Sequence, residues 1–281
     1  MIDLHTHSTV SDGTEPPEEV IAQAARAGLT AVALTDHDAV DGWTAATEAA
    51  TRHGLALVRG AELSTRHRGI SVHLLAYLFD PHQSDLASAM ARIRDDRLPR
   101  LRTIVERMED DGIEITWPEV EALATEGAAP GRPHIADALV AKGLVRDRTE
   151  AFDTWLHNRS RYYVPHFTID TSDAIALVRA AGGVPVLAHP FATRRGWTID
   201  GDDVRELADA GLLGIEVNHR DHEDEEVELA GSLARELDLI ATGSSDYHGE
   251  GKPNRLGENA TSEESLAAIE EAATSGLTIL R

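Results

Sequence analysis

The chain has 281 residues, is 42% hydrophobic, contains no cysteine and carries a formal charge of −23. That length and apolar fraction suffice for one large α/β core, with or without an insertion, while the missing cysteines exclude disulfides and leave nitrogen and oxygen as the only metal donors. The acidic balance argues against a surface that tracks long nucleic acids, and runs such as Asp221 to Glu228 read as solvated surface.

In chain order, residues 2–4 read as a short first strand. Residues 16–27 read as a helix opened by Thr14 and the following prolines and stopped by Gly28. Strands are expected at residues 31–35, at 55–58 leading to Glu62, and at 72–77 carrying His73; residues 184–188, 213–217 and 237–242 follow, with helical stretches between them. This alternation points to a parallel barrel or a doubly wound sheet. Between residues 85 and 166 the rhythm changes. Ile93, Leu101, Ile104, Val105 and Met108 have helical spacing, Pro133 opens a second helix through Leu139 that Gly143 ends, and residues 151–156 look like a third. The expected organisation is therefore an α/β barrel of residues 1–84 and 167–281 with a small helical insertion of residues 85–166. Thr261-Ser-Glu-Glu264 is a capping box before a helix at 266–273, and residues 277–280 read as a last strand. No apolar run reaches the ~18 residues of a membrane span and the N-terminus enters a strand without a basic leader, so the expectation is a cytoplasmic protein.

The chemistry lies in six histidines and three carboxylates: His5, His7, Asp12, His37, Glu62, His73, His189, Asp246 and His248. Residues i and i+2 of a strand share a face, so His5 and His7 can grip one ion, as can Asp246 and His248 if the chain is extended there. Each pair alone is a weak signal. Position strengthens it, because His5 and His7, His37, Glu62, His189, and Asp246 with His248 all fall at carboxyl ends of expected strands, where barrel enzymes build their sites. So many donors suit two or three divalent ions, with manganese expected and iron, zinc or magnesium also accommodated by such ligands. Glu62, closing a strand, is the natural bridging carboxylate. Closely spaced divalent ions suit phosphoester hydrolysis, with His5, His7, Asp246 and His248 acting through a metal-held hydroxide.

These residues carry a resemblance. His5-Thr-His7-Ser8 with Ser11-Asp-Gly13, Thr35-Asp-His-Asp38, Gly60-Ala-Glu62, Val72-His73, Ala188-His-Pro190 and Gly243-Ser-Ser-Asp-Tyr-His-Gly249 resemble, in order and over nearly the whole chain, the polymerase and histidinol phosphatase (PHP) family. The resemblance implies a distorted (β/α)7 barrel, TIM-like, with a trinuclear metal centre. It places His5, His7, Glu62 and Asp246 at one metal, Glu62, His73 and His189 at a second, and Asp12, His37 and His248 at a third. The insertion and Gly131-Arg-Pro-His134 resemble the branch that acts on small nucleotides, notably 3′,5′-nucleotide bisphosphate phosphatases, some of whose relatives trim RNA 5′ ends. In that branch the insertion caps the barrel and a basic residue near Arg132 contacts substrate phosphate. Arg161, Arg194 and Arg195 are further phosphate candidates because guanidinium forks match phosphate geometry. His134 and His219 are candidate leaving-group acids. The sequence departs from related ones at Arg159-Ser-Arg161-Tyr-Tyr163, where a basic residue commonly precedes Pro, and at Asn218-His219-Arg220, where Tyr-His-Pro is frequent.

The expected reaction is removal of the 3′-phosphate of a nucleoside 3′,5′-bisphosphate by a metal-bridging hydroxide, with arginines of the cap holding the 5′-phosphate. The alternatives are a 5′-3′ exoribonuclease on short RNA and a phosphatase of histidinol phosphate or a similar small ester. A non-enzymatic metal-binding module is disfavoured because all nine donors are present. A barrel of the amidohydrolase type is disfavoured because the two lysines, Lys142 and Lys252, sit at no strand end suited to bridging metals. The expected partner is a small phosphorylated nucleotide or short oligonucleotide, with no membrane.

Overall fold

Seven strands follow one another around a curved sheet: β1 (Ile2–Asp3), β2 (Ala31–Leu34), β3 (Ala56–His67), β4 (Ile70–Tyr77), β6 (Val184–Ala188), β7 (Gly214–Asn218) and β8 (Ile240–Gly243), while the short β5 (Ile169–Asp170) pairs with the far end of β3. The ends of this path meet, since His7 N–H donates to the Tyr247 carbonyl at 2.8 Å and Tyr247 N–H to the His5 carbonyl at 3.3 Å, so the sheet is a nearly closed barrel. This is a computed structural model, and it describes residues 1–123, 131–165 and 167–281. His166, the last residue of the expected insertion, lies outside the described residues.

The sheet is not wholly parallel. β4 runs antiparallel to both β3 and β6, while the other neighbours on the path are parallel. The cause is local: Arg68 and Gly69 form a two-residue turn with φ of 47° and 87°, the primed geometry that folds adjacent strands into a hairpin. β3 is also longer than expected, so Glu62 sits within a twelve-residue strand rather than closing a shorter one. Residues 277–280 do not form a strand; Leu280 makes an isolated antiparallel bridge to Leu57.

Strand alternation separates two environments. Ala31, Ala33, Val58, Leu75, Tyr77, Val184, Val186 and Ala188 share one apolar cluster, joined by Leu266 and Ile269 of α10 (Glu263–Ala272). The alternate residues Leu63, Leu74, Leu187 and Ile215 turn the other way, onto α7 (Thr171–Ala180), α8 (Gly201–Asp209) and α9 (Asp224–Glu236). On the β2 side, α1 (Pro17–Arg26) and α2 (Trp43–His53) cover Val32, Leu34 and Leu57. Glu62, His73 and Glu216 have the parity of the interior residues of their strands, so the barrel interior is apolar at one end and polar at the other.

A fourth apolar cluster lies apart. It unites Leu101, Ile104, Val105 and Met108 of α3 (Ser84–Asp110) with Val120 of α4 (Trp117–Glu121), Ile135 and Leu139 of α5 (Arg132–Ala141), Ala151 of α6 (Arg148–Ala151) and Leu156 of the following π-turn (Phe152–Leu156). Helix α3 serves two cores, because its early residues Leu86 and Met90 pack on the barrel cluster. Among the described residues, no helix is long and apolar enough to cross a membrane.

Leu74 is fully buried between β4 and the outer helices. Leu74→Ala is expected to cost about 2–5 kcal/mol, read as a lowered urea midpoint at unchanged slope; a midpoint equal to wild type would show that this face of β4 does not carry the core.

Candidate metal centre

Glu62 is the hub of the polar end. Its Oε2 lies 3.2 Å from His5 Nε2, 3.1 Å from His7 Nε2 and 3.1 Å from His37 Nδ1, while its Oε1 lies 2.7 Å from His73 Nδ1 and 3.2 Å from His189 Nε2. The two oxygens thus face different sets of imidazoles, the geometry of a bridging carboxylate. Asp246 Oδ1 lies 3.5 Å from both His5 Nε2 and His7 Nε2, and Asp12 Oδ1 lies 3.1 Å from His248 Nε2. The donors fall into groups compact enough for an ion each: His5, His7, Glu62 and Asp246; His7, Asp12, His37 and His248; His37, Glu62 and His73. All nine expected ligands therefore converge. The antiparallel β4 is what brings His73 in, by presenting its early residues where the parallel strands present their ends.

The backbone is bent to make this possible. His189 (φ 31°) and Asp246 (φ 53°) adopt left-handed conformations that cost non-glycine residues about 1–3 kcal/mol each. Hydrogen bonds hold both: His189 N–H donates to Glu216 Oε2 at 2.7 Å, and the Asn254 amide donates to the Asp246 carbonyl at 3.2 Å. Other buried carboxylates fix the loops. Asp36 accepts from Ser8 N–H and from the Ser8 and Ser11 hydroxyls, each at 2.7 Å, and Asp3 accepts from Ser245 N–H at 3.0 Å. Glu216 faces His5 Nδ1 at 3.0 Å, leaving Nε2 of that ring free to point into the cluster. Sequence reasoning missed Glu216. Its signal was a carboxylate between Ile215 and Val217 in an otherwise apolar strand, which burial makes tolerable only with fixed partners.

The protonation states suit metal ligation. Burial holds His7, His37 and His189 below the usual histidine range, His189 at about 3, so these rings are neutral. Burial works against the charge on Glu62, Asp12 and Asp246, but the facing imidazoles, and for Asp246 chiefly Lys252, outweigh it and keep all three well below the usual carboxylate range. At His5 burial disfavours the imidazolium, yet Glu62, Glu216 and Asp246 together lift its pKa well above normal. That point of the cluster attracts a cation. Asp12 Oδ1, His37 Nδ1, His73 Nδ1 and His248 Nε2 are buried without a hydrogen-bond partner although carboxylates and imidazoles are near, so they aim at shared space rather than at one another. The donor set fits several divalent ions.

The expected phosphate-contacting residues divide. Arg195 donates to Asp246 Oδ2 at 2.6 Å and to Asp221 at 2.5 Å, and Lys252, beyond the last ligand in sequence, folds back to the same Asp246 oxygen at 2.9 Å. His219 is buried with Nε2 3.6 Å from Asp246 Oδ2. Arg132 donates to the Leu156 carbonyl at 2.6 Å and to Asn158 Oδ1 at 2.9 Å. His134 accepts from Gly131 N–H at 3.1 Å and lines a cleft of about 260 Å³ with Asp137 and Arg148. The remaining two are engaged elsewhere. Arg161 pairs with Asp111 at 2.5 Å and Arg194 pairs with Glu223, both on the surface, because acidic neighbours on adjacent loops capture them first.

Barrel and donor set define a metal-dependent hydrolase, and comparison with known proteins narrows the class. The PHP domain profile matches residues 3–116. A 3′,5′-nucleoside bisphosphate phosphatase of Chromobacterium violaceum is 33% identical over 90% of this chain and 89% of its own length. A 5′-3′ exoribonuclease of Haemophilus influenzae is 31% identical over 88% of this chain and 89% of its own. A crystal structure described as a metal-dependent phosphoesterase of Bifidobacterium adolescentis, 40% identical, superposes with a TM-score of 0.94 over 97% of this chain and 96% of its own. The chain belongs to the PHP domain family and is a metal-dependent phosphoesterase.

Two expectations follow from the cluster. Glu216→Gln removes the charge that orients His5, and metal affinity is expected to fall about 10- to 100-fold with the circular dichroism spectrum unchanged; unaltered affinity would rule out that orienting role. Because His5 holds its proton below its raised pKa in the metal-free protein, loading divalent ions at neutral pH is expected to release protons, and affinity to rise with pH. Calorimetric titration in two buffers of different ionisation enthalpy reads this directly, and identical heats in both would contradict it.

Proposed function

We propose that the enzyme removes the 3′-phosphate of nucleoside 3′,5′-bisphosphates. The observation that carries this reading is a group of arginines at the seam between barrel and helical cluster. Arg97 of α3 donates to Asp38 Oδ2 at 2.6 Å and to Ser64 at 2.7 Å, and its Nε is buried without a partner. Arg100 donates to the Val164 carbonyl at 2.7 Å. Burial, together with its neighbours Arg132 and Arg97, lowers Arg100 to about 9; burial, with Arg97 adding repulsion, lowers Arg132 to about 10. Asp38 is the one carboxylate hydrogen-bonded to this trio among the described residues, and it adjoins His37. Cations that crowd one another out of water call for an anion, and a second phosphate supplies it.

In this reading His5, His7, Asp12, His37, Glu62, His73, His189, Asp246 and His248 hold two or three divalent ions, with manganese expected. Bound ions supply Lewis acidity, steadying phosphate oxygens, acidifying water and offsetting charge on the leaving oxygen. The chain's own groups do the rest. Arg195 and Lys252 fix the Asp246 carboxylate, Arg97, Arg100 and Arg132 anchor the 5′-phosphate, and His219 is placed to donate a proton to the leaving oxygen. Helices α3 to α6 of the expected insertion 85–166 act as the cap that supplies most of the arginines. Anchoring the second phosphate orients the first, which favours bisphosphates over monophosphates. A 5′-3′ exoribonuclease is the second reading, because the same arginines suit the 5′-phosphate of a short RNA.

The manganese-loaded protein is expected to release phosphate from adenosine 3′,5′-bisphosphate and spare AMP. Arg132→Ala is expected to raise KM for the bisphosphate about 10- to 100-fold, the worth of one charge-assisted contact. Release of mononucleotides from a short 5′-phosphorylated RNA, with the bisphosphate untouched, would favour the exoribonuclease. Inactivity on both would overturn the nucleotide reading.

A further inference from the structure

Trp197 is 73% exposed, more than any other large apolar side chain among the described residues. Leaving an indole in water forfeits the burial that such a side chain normally gains, so its setting is informative. It lies on the loop between β6 and α8, which starts at His189, passes through the turn Thr193–Arg195 and reverses at Gly196. Gly196 has φ 131° and ψ −138°, a conformation reserved for glycine, and this bend determines how the indole is presented.

Two chains of contact locate the ring. Two residues before it, Arg195 grips Asp246 of the metal cluster at 2.6 Å. On the other side, the Arg159 guanidinium stands 5.5 Å from the indole centroid, and the adjacent Asn158 accepts from Arg132 at 2.9 Å. The Asn158 side chain also borders Gly196, 3.9 Å from where a Cβ would stand. The indole therefore lies on a loop tied on one side to the metal cluster through Arg195 and on the other to the arginines of the seam through Asn158 and Arg132. A nucleotide that reaches both places must put its base somewhere beside them. Bases stack on aromatic rings whatever their sequence, and a guanidinium over the same ring strengthens such a platform.

We infer that Trp197 is the stacking platform for the nucleobase, so that the substrate is recognised as a nucleotide and not as a base-free sugar phosphate. This rests on the nucleotide reading above and adds a specificity-determining residue to it. Arg159 backs one face of the indole and the base lies against the other.

The test compares adenosine 3′,5′-bisphosphate with its abasic analogue, methyl ribofuranoside 3,5-bisphosphate, on the manganese-loaded enzyme. Trp197→Ala is expected to lower the ratio of kcat/KM for the nucleotide over that for the abasic ester about tenfold or more, the worth of one stacked base, and Trp197→Phe to restore most of it. A ratio unchanged in Trp197→Ala overturns the proposal. Binding gives an independent readout: AMP is expected to quench a part of the tryptophan fluorescence that ribose 5-phosphate leaves intact and that Trp197→Phe lacks. If no nucleotide is turned over but this quenching occurs, the bisphosphatase reading falls and the base platform stands. If nucleotides are turned over without it, the platform falls and the bisphosphatase reading stands; absence of both turnover and quenching overturns both.

Discussion

One buried carboxylate sets the terms for the rest of the molecule. Glu62 is 1% exposed and lies within reach of five imidazoles drawn from four different segments of the barrel. A charge so placed is tolerable only if cations or strong donors surround it, and the same is true of Asp12 and Asp246. The barrel answers with a rigid floor of interior apolar side chains beneath the cluster and with loops pinned by Asp3, Asp36 and Glu216 around it. The strained backbone at His189 and Asp246 persists because those pins over-determine it.

Much of this was legible in the sequence. The donors lie in short clusters after apolar, β-branched runs, and strand geometry alone brings such clusters to one end of a barrel. What stayed hidden depends on direction and distance. The parallel expectation failed at β4 because the Arg68-Gly69 turn is only two residues long, and a single X-Gly pair inside a continuous polar-apolar run is a weak hairpin signal. The consequence was local, since His73 reaches the cluster only when its strand is reversed. Glu216 was hidden by its neighbours, its strand being read as apolar. Arg97 and Arg100 were hidden by helical periodicity, in which a charged residue three positions from another reads as solvated surface. Arg161 and Arg194 were read as phosphate candidates, and nothing in linear spacing announces that Asp111 and Glu223 lie beside them.

The net charge of −23 also acquires a location. Buried carboxylates at the barrel end balance histidines, arginines and metal sites, whereas exposed acids on α9 and α10 face water. The arginines of the seam therefore stand out as a cationic group on a chain whose exposed helices are acidic.

Helix α3 gives the architecture a further property. Its first turns belong to the barrel core and its last turns to the helical cluster, and it runs unbroken through Pro99 for 27 residues. The helical cluster is thus carried on an element continuous with the barrel core and not on a separate linker.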